Sequence, residues 1–279
     1  MLKQRIITAA ILLALLIPAL IVPASWPFAL LTLAAIAAAG WEWARLNAAG
    51  RAAIPLGALL GAACVAAFVA GWSGAAPAIT WWLALAAWVI GGVVVLRVGP
   101  SGWPRLPAAF RIVLGLAALW TGWLALANAK AQGLDFILSV FALVWAADIC
   151  AYFGGRAFGR RKLAPSISPG KSWEGVWSGM AGALVVAAVW VAVESRLGVG
   201  STSLFSTVAN RYTMAGMAAA VVFLVAMSVV GDLFESLVKR SAGAKDSSTL
   251  LPGHGGILDR IDALLPVFPI ALALVASSR

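Results

Sequence analysis

The acidic residues of this chain are few and unevenly placed. Ten Asp and Glu occur among 279 residues, and seven of them lie in two short segments, from Asp148 to Glu174 and from Asp232 to Asp262. Both segments are rich in Lys, Arg and Gly, while the sequence around them is almost continuously apolar. A carboxylate in apolar, membrane-spanning sequence is expensive and usually serves a function. The pattern predicts one polar site, of a kind that binds a metal ion and a charged substrate.

The second segment carries carboxylates on two predicted helices. Asp232, Glu235 and Lys239 fall at i, i+3 and i+7, on one stripe of a helix. Asp259 and Asp262 follow at the start of the next apolar run, where capping of the helix N-terminus is an alternative role. Mg2+ takes one or two carboxylates together with substrate phosphates and waters. Asp232 with Asp259 or Asp262 fits this description if the two helix ends meet.

A polar loop separates these acids. Residues 252–256, Pro-Gly-His-Gly-Gly, form turns rather than a helix. His254 is the only histidine, which excludes a multi-histidine metal site. A hydrogen bond from His254 to a backbone carbonyl or a phosphate is favoured over a role as general base.

The first segment combines a carboxylate with a basic, glycine-containing loop. Asp148 and Tyr152 are four residues apart and share one face at the end of a predicted helix. The glycines that follow permit close backbone approach, and cations such as Lys171 neutralise phosphate oxygens. Ser172 is placed to cap the next helix, with Glu174 in its first turn. A basic loop required only by membrane topology is the alternative, but it does not explain Asp148.

Membrane-spanning helices must position these residues. Hydrophobic residues make up 63% of the chain and charged residues 11%, whereas a soluble domain carries about 25% charged residues. A span needs about 20 apolar residues. We therefore predict an all-α polytopic membrane protein of about nine transmembrane helices, the first a span rather than a cleaved leader. The predicted spans are residues 6–22, 27–46, 54–72, 79–97, 108–127, 134–153, 174–195, 212–238 and 258–276.

The cations are distributed asymmetrically about these spans. Only four of the 20 Lys and Arg residues, Lys130, Arg196, Arg211 and Arg279, fall on the side opposite the N-terminus. The positive-inside rule assigns the richer side, with both acidic segments, to the cytoplasm. We predict about five spans in residues 1–130 and a catalytic region in residues 131–279, with cytoplasmic loops 154–173 and 239–258. The net charge of +10 belongs to these loops, so nucleic-acid binding is not expected.

The two segments resemble a known family. Residues 236–240, Lys245-Asp246 and residues 251–262 are similar to the pattern of the phosphatidate cytidylyltransferase (CDP-diacylglycerol synthase) family, without a departure across 236–262. Further similar positions are Glu42-Trp43, Asp148, Tyr152, Gly154-Gly155, Ser168-Pro169, Lys171-Ser172 and Glu174-Gly175.

The resemblance implies an activity and a set of site residues. The activity is transfer of CMP from CTP to phosphatidate, giving CDP-diacylglycerol and pyrophosphate for phospholipid biosynthesis. It requires Mg2+, with an additional monovalent or second divalent cation left open. The implied setting is a homodimer in the bacterial inner membrane, with the active site facing the cytoplasm.

Roles are assigned to three groups of residues. The predicted metal ligands are Asp232, Asp259 and Asp262. The predicted catalytic residues are Asp232, Lys239, Arg240, Lys245, Asp246, Asp259 and Arg260. The predicted substrate-binding residues are Asp148, Tyr152, Ser168, Lys171, Ser172, Lys239, Arg240 and His254.

Two rival functions stay open at the level of sequence. A transporter or channel also carries intramembrane carboxylates, although transporter sites lie near the bilayer midplane on broken helices. A related CTP-using lipid enzyme, such as a polyprenol kinase, would differ in its acceptor. A purely structural membrane subunit is disfavoured, because such a protein would not require seven acidic residues gathered in two loops.

Overall fold

The computed structural model describes residues 2–198 and 202–276, with side chains described except at residues 2–5 and 9. The helices are α1 (Leu2–Ile21), α2 (Trp26–Leu46), α3 (Ala53–Val69), α4 (Trp72–Ala75), α5 (Ala78–Ala86), α6 (Gly92–Gly102), α7 (Ala108–Gln132), α8 (Leu134–Phe158), α9 (Trp173–Leu197), α10 (Leu204–Ser241), α11 (Leu258–Ile261) and α12 (Leu264–Val275). Short 3-10 turns cover Gly50–Ala52 and Trp103–Arg105, and a π-helical turn covers Ala87–Gly91. The strands are β1 (Lys162–Ala164) and β2 (Ser168–Ser172).

Seven helices in the described ranges are long and apolar enough to cross a membrane, which confirms a polytopic, all-α membrane protein. They are Trp26–Leu46, Gly50–Val69, Ala78–Arg105, Ala108–Gln132, Leu134–Phe158, Trp173–Leu197 and Leu204–Ser241. The predicted number of nine is not confirmed. The first predicted span forms the shorter apolar helix Ile6–Ile21, and residues 258–276 divide into α11 and α12.

Helix α12 is short because it lies inside the bundle. Its twelve residues rise about 18 Å, less than the hydrocarbon thickness of a bilayer. Val267, Ile270 and Ala271 are completely buried, as expected for a helix that is apolar all round. At its end, Arg211 of α10 donates hydrogen bonds to the carbonyls of residues 275 and 276. This helix therefore fills the core around which the longer helices pack.

Helices α8 and α9 pack closely through glycines. A Cβ atom added at Gly175 would lie 2.9 Å from the carbonyl oxygen of Ala151, and one at Gly179 would lie 2.8 Å from that of Ala147. Small residues spaced four apart let helix backbones approach in lipid. This close approach sets the position of the C-terminal half of α8, which carries Asp148.

Helix α10 is fixed by an aromatic cluster on one face. The Phe234 ring lies 5.4, 5.8 and 5.6 Å, centroid to centroid, from Trp43, Trp88 and Trp103. Thr213, at φ 74°, interrupts the helix near its start. The helix then continues to Ser241, which confirms that the polar segment 231–240 is helical. Phe234 and Asp232 are two residues apart, so they point to nearly opposite sides of α10.

The predicted loop 154–173 is more ordered than expected. Helix α8 continues to Phe158, and an antiparallel hairpin then pairs Lys162 with Ser172 and Ala164 with Ser168. The hairpin runs directly into α9. Its second strand, β2, therefore carries Lys171 over the neighbouring helices rather than leaving it on a free loop.

Candidate active site

The two acidic segments meet at one cavity. It has a volume of about 520 Å³ and lies between α8, α9, α10 and β2. Six residues predicted from sequence line it, and these are Asp148, Tyr152, Ser168, Lys171, Ser172 and Asp232. Apolar residues including Val176, Val225 and Val229 form other parts of the wall. The cavity thus joins polar groups from both segments to an apolar surface among membrane-spanning helices.

An ion pair crosses this cavity wall. The Nζ atom of Lys171 on β2 lies 2.5 Å from Oδ2 of Asp232 on α10, and the two side chains are 26% and 31% exposed. Ser236, one turn further along α10, donates a hydrogen bond of 3.3 Å to Oδ1 of Asp232. Both charged groups remain open to the cavity, which is the condition for a ligand or ion to reach them.

The hairpin is held in place at the start of α9. Ser172 accepts a hydrogen bond of 3.2 Å from the backbone N–H of Gly175, which confirms its predicted role as a helix cap. The Glu174 carboxylate accepts hydrogen bonds from the backbone N–H groups of Arg160 and Arg161, at 3.0 and 3.1 Å. These bonds fix the loop on both sides of β1 and β2, and hence the position of Lys171.

A second charged group surrounds Lys239. Its Nζ atom lies 2.5 Å from Oε2 of Glu235 and 2.6 Å from Oδ1 of Asp259. Glu235 is 2% exposed, and apart from this ion pair no hydrogen bond reaches its carboxylate within the described part of the chain. Lys239 therefore compensates two largely buried carboxylates from different helices.

Asp259 receives hydrogen bonds at both oxygens. Besides Lys239 at Oδ1, its Oδ2 accepts from the backbone N–H and hydroxyl of Ser247, each at 2.9 Å, and from the N–H of Gly256 at 2.8 Å. Burial raises the pKa of Asp259, but the bonds from Lys239, Gly256 and Ser247 outweigh it and lower the pKa to about 2. The carboxylate is charged and fully engaged in holding residues 247–256.

Asp262 lies between α11 and α12, opposite Gly231 of α10. Burial raises the pKa of Asp262 to about 8, and the negative charge of Asp232 adds to the rise. Gly231 packs against the carbonyl of Asp262 so closely that a Cβ atom would not fit there. The contact of Gly231 with Asp262 thus brings the two ends of the second acidic segment close together.

The remaining predicted residues lie around this centre. Arg240 donates hydrogen bonds to the carbonyls of Ile167 in the hairpin turn and Ala244, at 3.4 and 3.3 Å. Three others, Lys245, Asp246 and Arg260, are exposed or partly exposed, and their side chains make no hydrogen bond or ion pair with described groups. The Nδ1 atom of His254 is buried without a partner among the described residues.

Sequence analysis missed a connection to α2. The carboxylate of Glu42 is completely buried and accepts hydrogen bonds from Ser247, Ser248 and the backbone N–H groups of residues 257 and 258. A lone carboxylate in an apolar span was the available signal. Its partners, 205 residues or more away in sequence, could not be identified from spacing.

No ready-made metal site is present in residues 2–198 and 202–276. Within these ranges, no three Asp, Glu, His or Cys side chains are grouped so as to hold a metal ion by themselves. The site therefore offers pairs of carboxylates and neighbouring ammonium groups.

Comparison with known proteins places the chain in a family. The sequence profile of the Cytidylyltransferase family matches residues 3–278. The chain belongs to this cytidylyltransferase family. The match covers both acidic segments and α2, so the cavity, the ion pairs and Glu42 all lie within the matched residues.

Individual relatives match over parts of their length. A phosphatidate cytidylyltransferase of Haemophilus influenzae is 51% identical over 138 residues, which cover 50% of this chain and 44% of that protein. The protein of the same name from Pseudomonas aeruginosa is 43% identical over 203 residues, covering 69% of this chain and 67% of the relative. That from Bacillus subtilis is 37% identical over 166 residues, covering 58% and 56%. The alignments thus span 44% to 67% of these relatives.

Proposed function

We propose that this chain transfers CMP from CTP to phosphatidate, giving CDP-diacylglycerol and pyrophosphate. The observation that carries the proposal is the meeting of Lys171 and Asp232, 2.5 Å apart, at a cavity lined by both acidic segments. The names of the relatives, phosphatidate cytidylyltransferase, support the choice of substrates. A cation-rich, carboxylate-bearing cavity suits a triphosphate, because ammonium and guanidinium groups neutralise phosphate oxygens.

The reaction is an in-line displacement at phosphorus. A phosphate oxygen of phosphatidate attacks the α-phosphorus of CTP, a new P–O bond forms, the bond to the bridging oxygen of the β-phosphate breaks, and pyrophosphate leaves. A phosphate monoester has a second pKa of about 6, so the attacking group is mostly ionised at neutral pH and needs no strong base. Catalysis then depends on positioning and charge neutralisation.

The carboxylates fit Mg2+ as a cofactor. The backbone of Asp262 packs against Gly231, which precedes Asp232 in α10, so these two carboxylates would be the ones to hold the ion. Mg2+ is commonly bound by one or two carboxylates together with substrate phosphates. When bound, Mg2+ would supply Lewis-acid neutralisation of the triphosphate. Asp259, already engaged by Lys239, Ser247 and Gly256, would contribute by orienting these groups.

The cations have distinct places in this mechanism. Lys171 reaches into the cavity from β2 and is placed to bind phosphate oxygens there. Arg240 ties the end of α10 to the hairpin turn, which keeps Lys171 and Asp232 in register. The exposed cations Lys245 and Arg260 are available for CTP or for the departing pyrophosphate.

The lipid substrate is expected to enter from the bilayer. The cavity wall contains Val176, Val225 and Val229 on membrane-length helices, an apolar surface suited to acyl chains. Only the phosphate headgroup then needs to reach Lys171 and Asp232.

The proposed setting is a multi-pass protein of the bacterial inner membrane, with the cavity on the cytoplasmic side and the chain acting as a homodimer. The positive-inside asymmetry supports this orientation. Lys130, on the cation-poor side, donates to the carbonyl of Leu20 at the far end of α1, while Thr8 near its start donates to the carbonyl of Pro252. Helix α1 thus runs from the side of the second segment to the opposite side.

The position of radioactive phosphorus distinguishes this function from its rivals. Purified protein in lipid nanodiscs is incubated with phosphatidate, or with a polyprenol, and with CTP labelled at the α- or the γ-phosphorus. We expect α-label in the lipid product, γ-label in pyrophosphate and no reaction with the polyprenol. Transfer of γ-label to polyprenol would instead establish a kinase, and the absence of any label transfer, together with CTP-independent solute flux, would favour a transporter.

A further inference from the structure

The Glu42 carboxylate joins the N-terminal helices to the second acidic segment. It lies in the last turns of α2 and is completely buried. Oε1 accepts from the Ser248 hydroxyl at 2.5 Å and from the Ile257 N–H at 3.0 Å. Oε2 accepts from the Ser247 hydroxyl at 3.1 Å and from the Leu258 N–H at 2.8 Å. One side chain thus joins the middle of the loop between α10 and α11 to the start of α11.

The placement of this charge is costly by itself. A buried carboxylate without a counter-ion is strongly unfavourable unless hydrogen bonds satisfy it. The negative end of the helix dipole lies at the C-terminus of α2, which disfavours a carboxylate there. No ion pair with Glu42 occurs among the described residues. The four donors of the loop therefore compensate the charge. If the carboxylate is removed, the Ser248 hydroxyl and the N–H groups of Ile257 and Leu258 lose this acceptor, while the Ser247 hydroxyl keeps Asp259.

The loop is shaped to fit this carboxylate. A Cβ atom at Gly256 would overlap both the Ser247 hydroxyl and the Glu42 carboxylate. Arg45, one turn after Glu42, donates a hydrogen bond to the carbonyl of Ser247. The approach of α2 to this loop is thus close at several atoms, which argues for a defined geometry rather than an incidental contact.

The contacts continue from Glu42 to the charged centre. The Ser247 hydroxyl lies within hydrogen-bond distance of both Glu42 and Asp259. Asp259 in turn lies 2.6 Å from Lys239. We propose that Glu42 is a positioning residue, which acts through Ser247 and Asp259 to hold Lys239 and the loop 246–258 in their working arrangement. This inference rests on the proposed cytidylyltransferase activity, since its catalytic consequence is a change in that rate.

Glu42→Gln is the informative substitution. Gln keeps the length of the side chain but replaces one oxygen by an NH2 group. In either orientation the NH2 group faces a backbone N–H, that of Ile257 or that of Leu258, which cannot accept a hydrogen bond. The matched control is Glu194→Gln, because Glu194 also accepts from a serine hydroxyl and a backbone N–H, both of Ser203, in the connection between α9 and α10.

The test combines kinetics with hydrogen exchange in nanodiscs. We expect Glu42→Gln to lower kcat about 10- to 100-fold, as loss of a residue that orients a functional side chain does, with KM for CTP changed less than about threefold. Glu42→Asp should recover part of the rate. Amide exchange should accelerate in residues 246–258 and stay unchanged in α8 and α9. Glu194→Gln should match the wild type in rate and in exchange of the loop.

Two results would overturn the inference. One is a Glu42→Gln protein with wild-type kcat and wild-type exchange in the loop. The other is a rate loss accompanied by faster exchange throughout the helices, which would make Glu42 a general stabilising residue. Exchange needs no turnover, so a wild-type protein that transfers no CMP would refute the proposed activity while the exchange measurement still tests the role of Glu42 in holding the loop.

Discussion

Two charged groups, one at the cavity and one around Lys239, differ in how their side chains are used. In the first, Lys171 and the facing Asp232 line an open cavity and remain about one quarter to one third exposed. In the second, Lys239, Glu235 and Asp259 are 12% exposed or less and bind one another. The first arrangement leaves charges accessible to a ligand, whereas the second uses its charges to fix a loop and a helix end.

This difference separates binding from positioning. Exposed ion pairs contribute little to stability, about 0–1 kcal/mol, so the pair of Lys171 and Asp232 is available for exchange with a substrate or a cation. Removing one member of a buried pair costs about 3–5 kcal/mol, because the other charge is left uncompensated. Substitutions at the cavity should therefore affect turnover alone, and those around Lys239 should affect turnover and stability together.

Asp232→Asn tests the cavity side and carries the largest expected effect. Loss of a charge that stabilises the reacting phosphates should lower kcat at least about 100-fold. The thermal unfolding midpoint should stay within about 2 °C of the wild type, because the lost ion pair is partly exposed. Asp135→Asn, in the first turn of α8 and outside the cavity lining, is the matched control for kcat. Near-normal turnover of the purified Asp232→Asn protein would show that Asp232 has no role in the reaction.

Lys239→Ala tests the positioning side. It leaves Glu235 and Asp259 as neighbouring buried carboxylates without their cation, so the free energy of unfolding should fall by about 3 kcal/mol. Turnover should fall as well, because Asp259 and its loop lose their arrangement. Denaturant unfolding in detergent and CMP transfer are measured on the same preparation. Unchanged stability would mean that these carboxylates are solvated or protonated, contrary to the contrast between the two charged groups.

Gly256→Ala sharpens the contrast without changing a charge. The added methyl group overlaps Ser247 and Glu42, so the unfolding free energy should fall by about 1–3 kcal/mol. Gly170→Ala, in the hairpin of the first segment, is the matched change, because its Cβ would meet no atom within 4 Å. Thermal unfolding of the two variants compares the segments directly, and equal destabilisation would contradict a tightly packed second loop.

Lys171→Ala is expected to have the smallest effect on stability and a moderate one on catalysis. The free energy of unfolding should change by less than about 1 kcal/mol. CMP transfer should fall about tenfold or more, since one phosphate contact is lost. Steady-state kinetics at varied CTP and phosphatidate identify the substrate affected. Unchanged kinetics for both substrates would place Lys171 outside the reaction.

Sequence patterns predicted the residues of the polar site more accurately than they predicted where the membrane spans begin and end. The face shared by Asp148 and Tyr152 was readable from helical periodicity, and both residues line the cavity. The cap at Ser172 was readable from its position before an apolar run. These features are local in sequence, so helix geometry alone determines them.

Features that depend on tertiary packing could not be read in the same way. The fourth predicted span contains a π-helical turn at Ala87–Gly91, and the ninth splits into α11 and a twelve-residue α12 inside the bundle. The hairpin of residues 162–172 lacks the apolar alternation typical of strands. Its form depends instead on contacts with neighbouring helices, which a local sequence pattern does not show. Glu42 acts on groups 205 or more residues away, a pairing that no local pattern encodes.

A change of metal preference at Asp232 tests the central claim most directly. A thiolate in place of the carboxylate favours softer cations over Mg2+. The account predicts that wild-type protein transfers α-labelled CMP to phosphatidate with Mg2+, that EDTA stops the reaction, and that Asp232→Cys is inactive with Mg2+ but regains activity with Mn2+ or Cd2+. Full activity of Asp232→Cys with Mg2+ would contradict it.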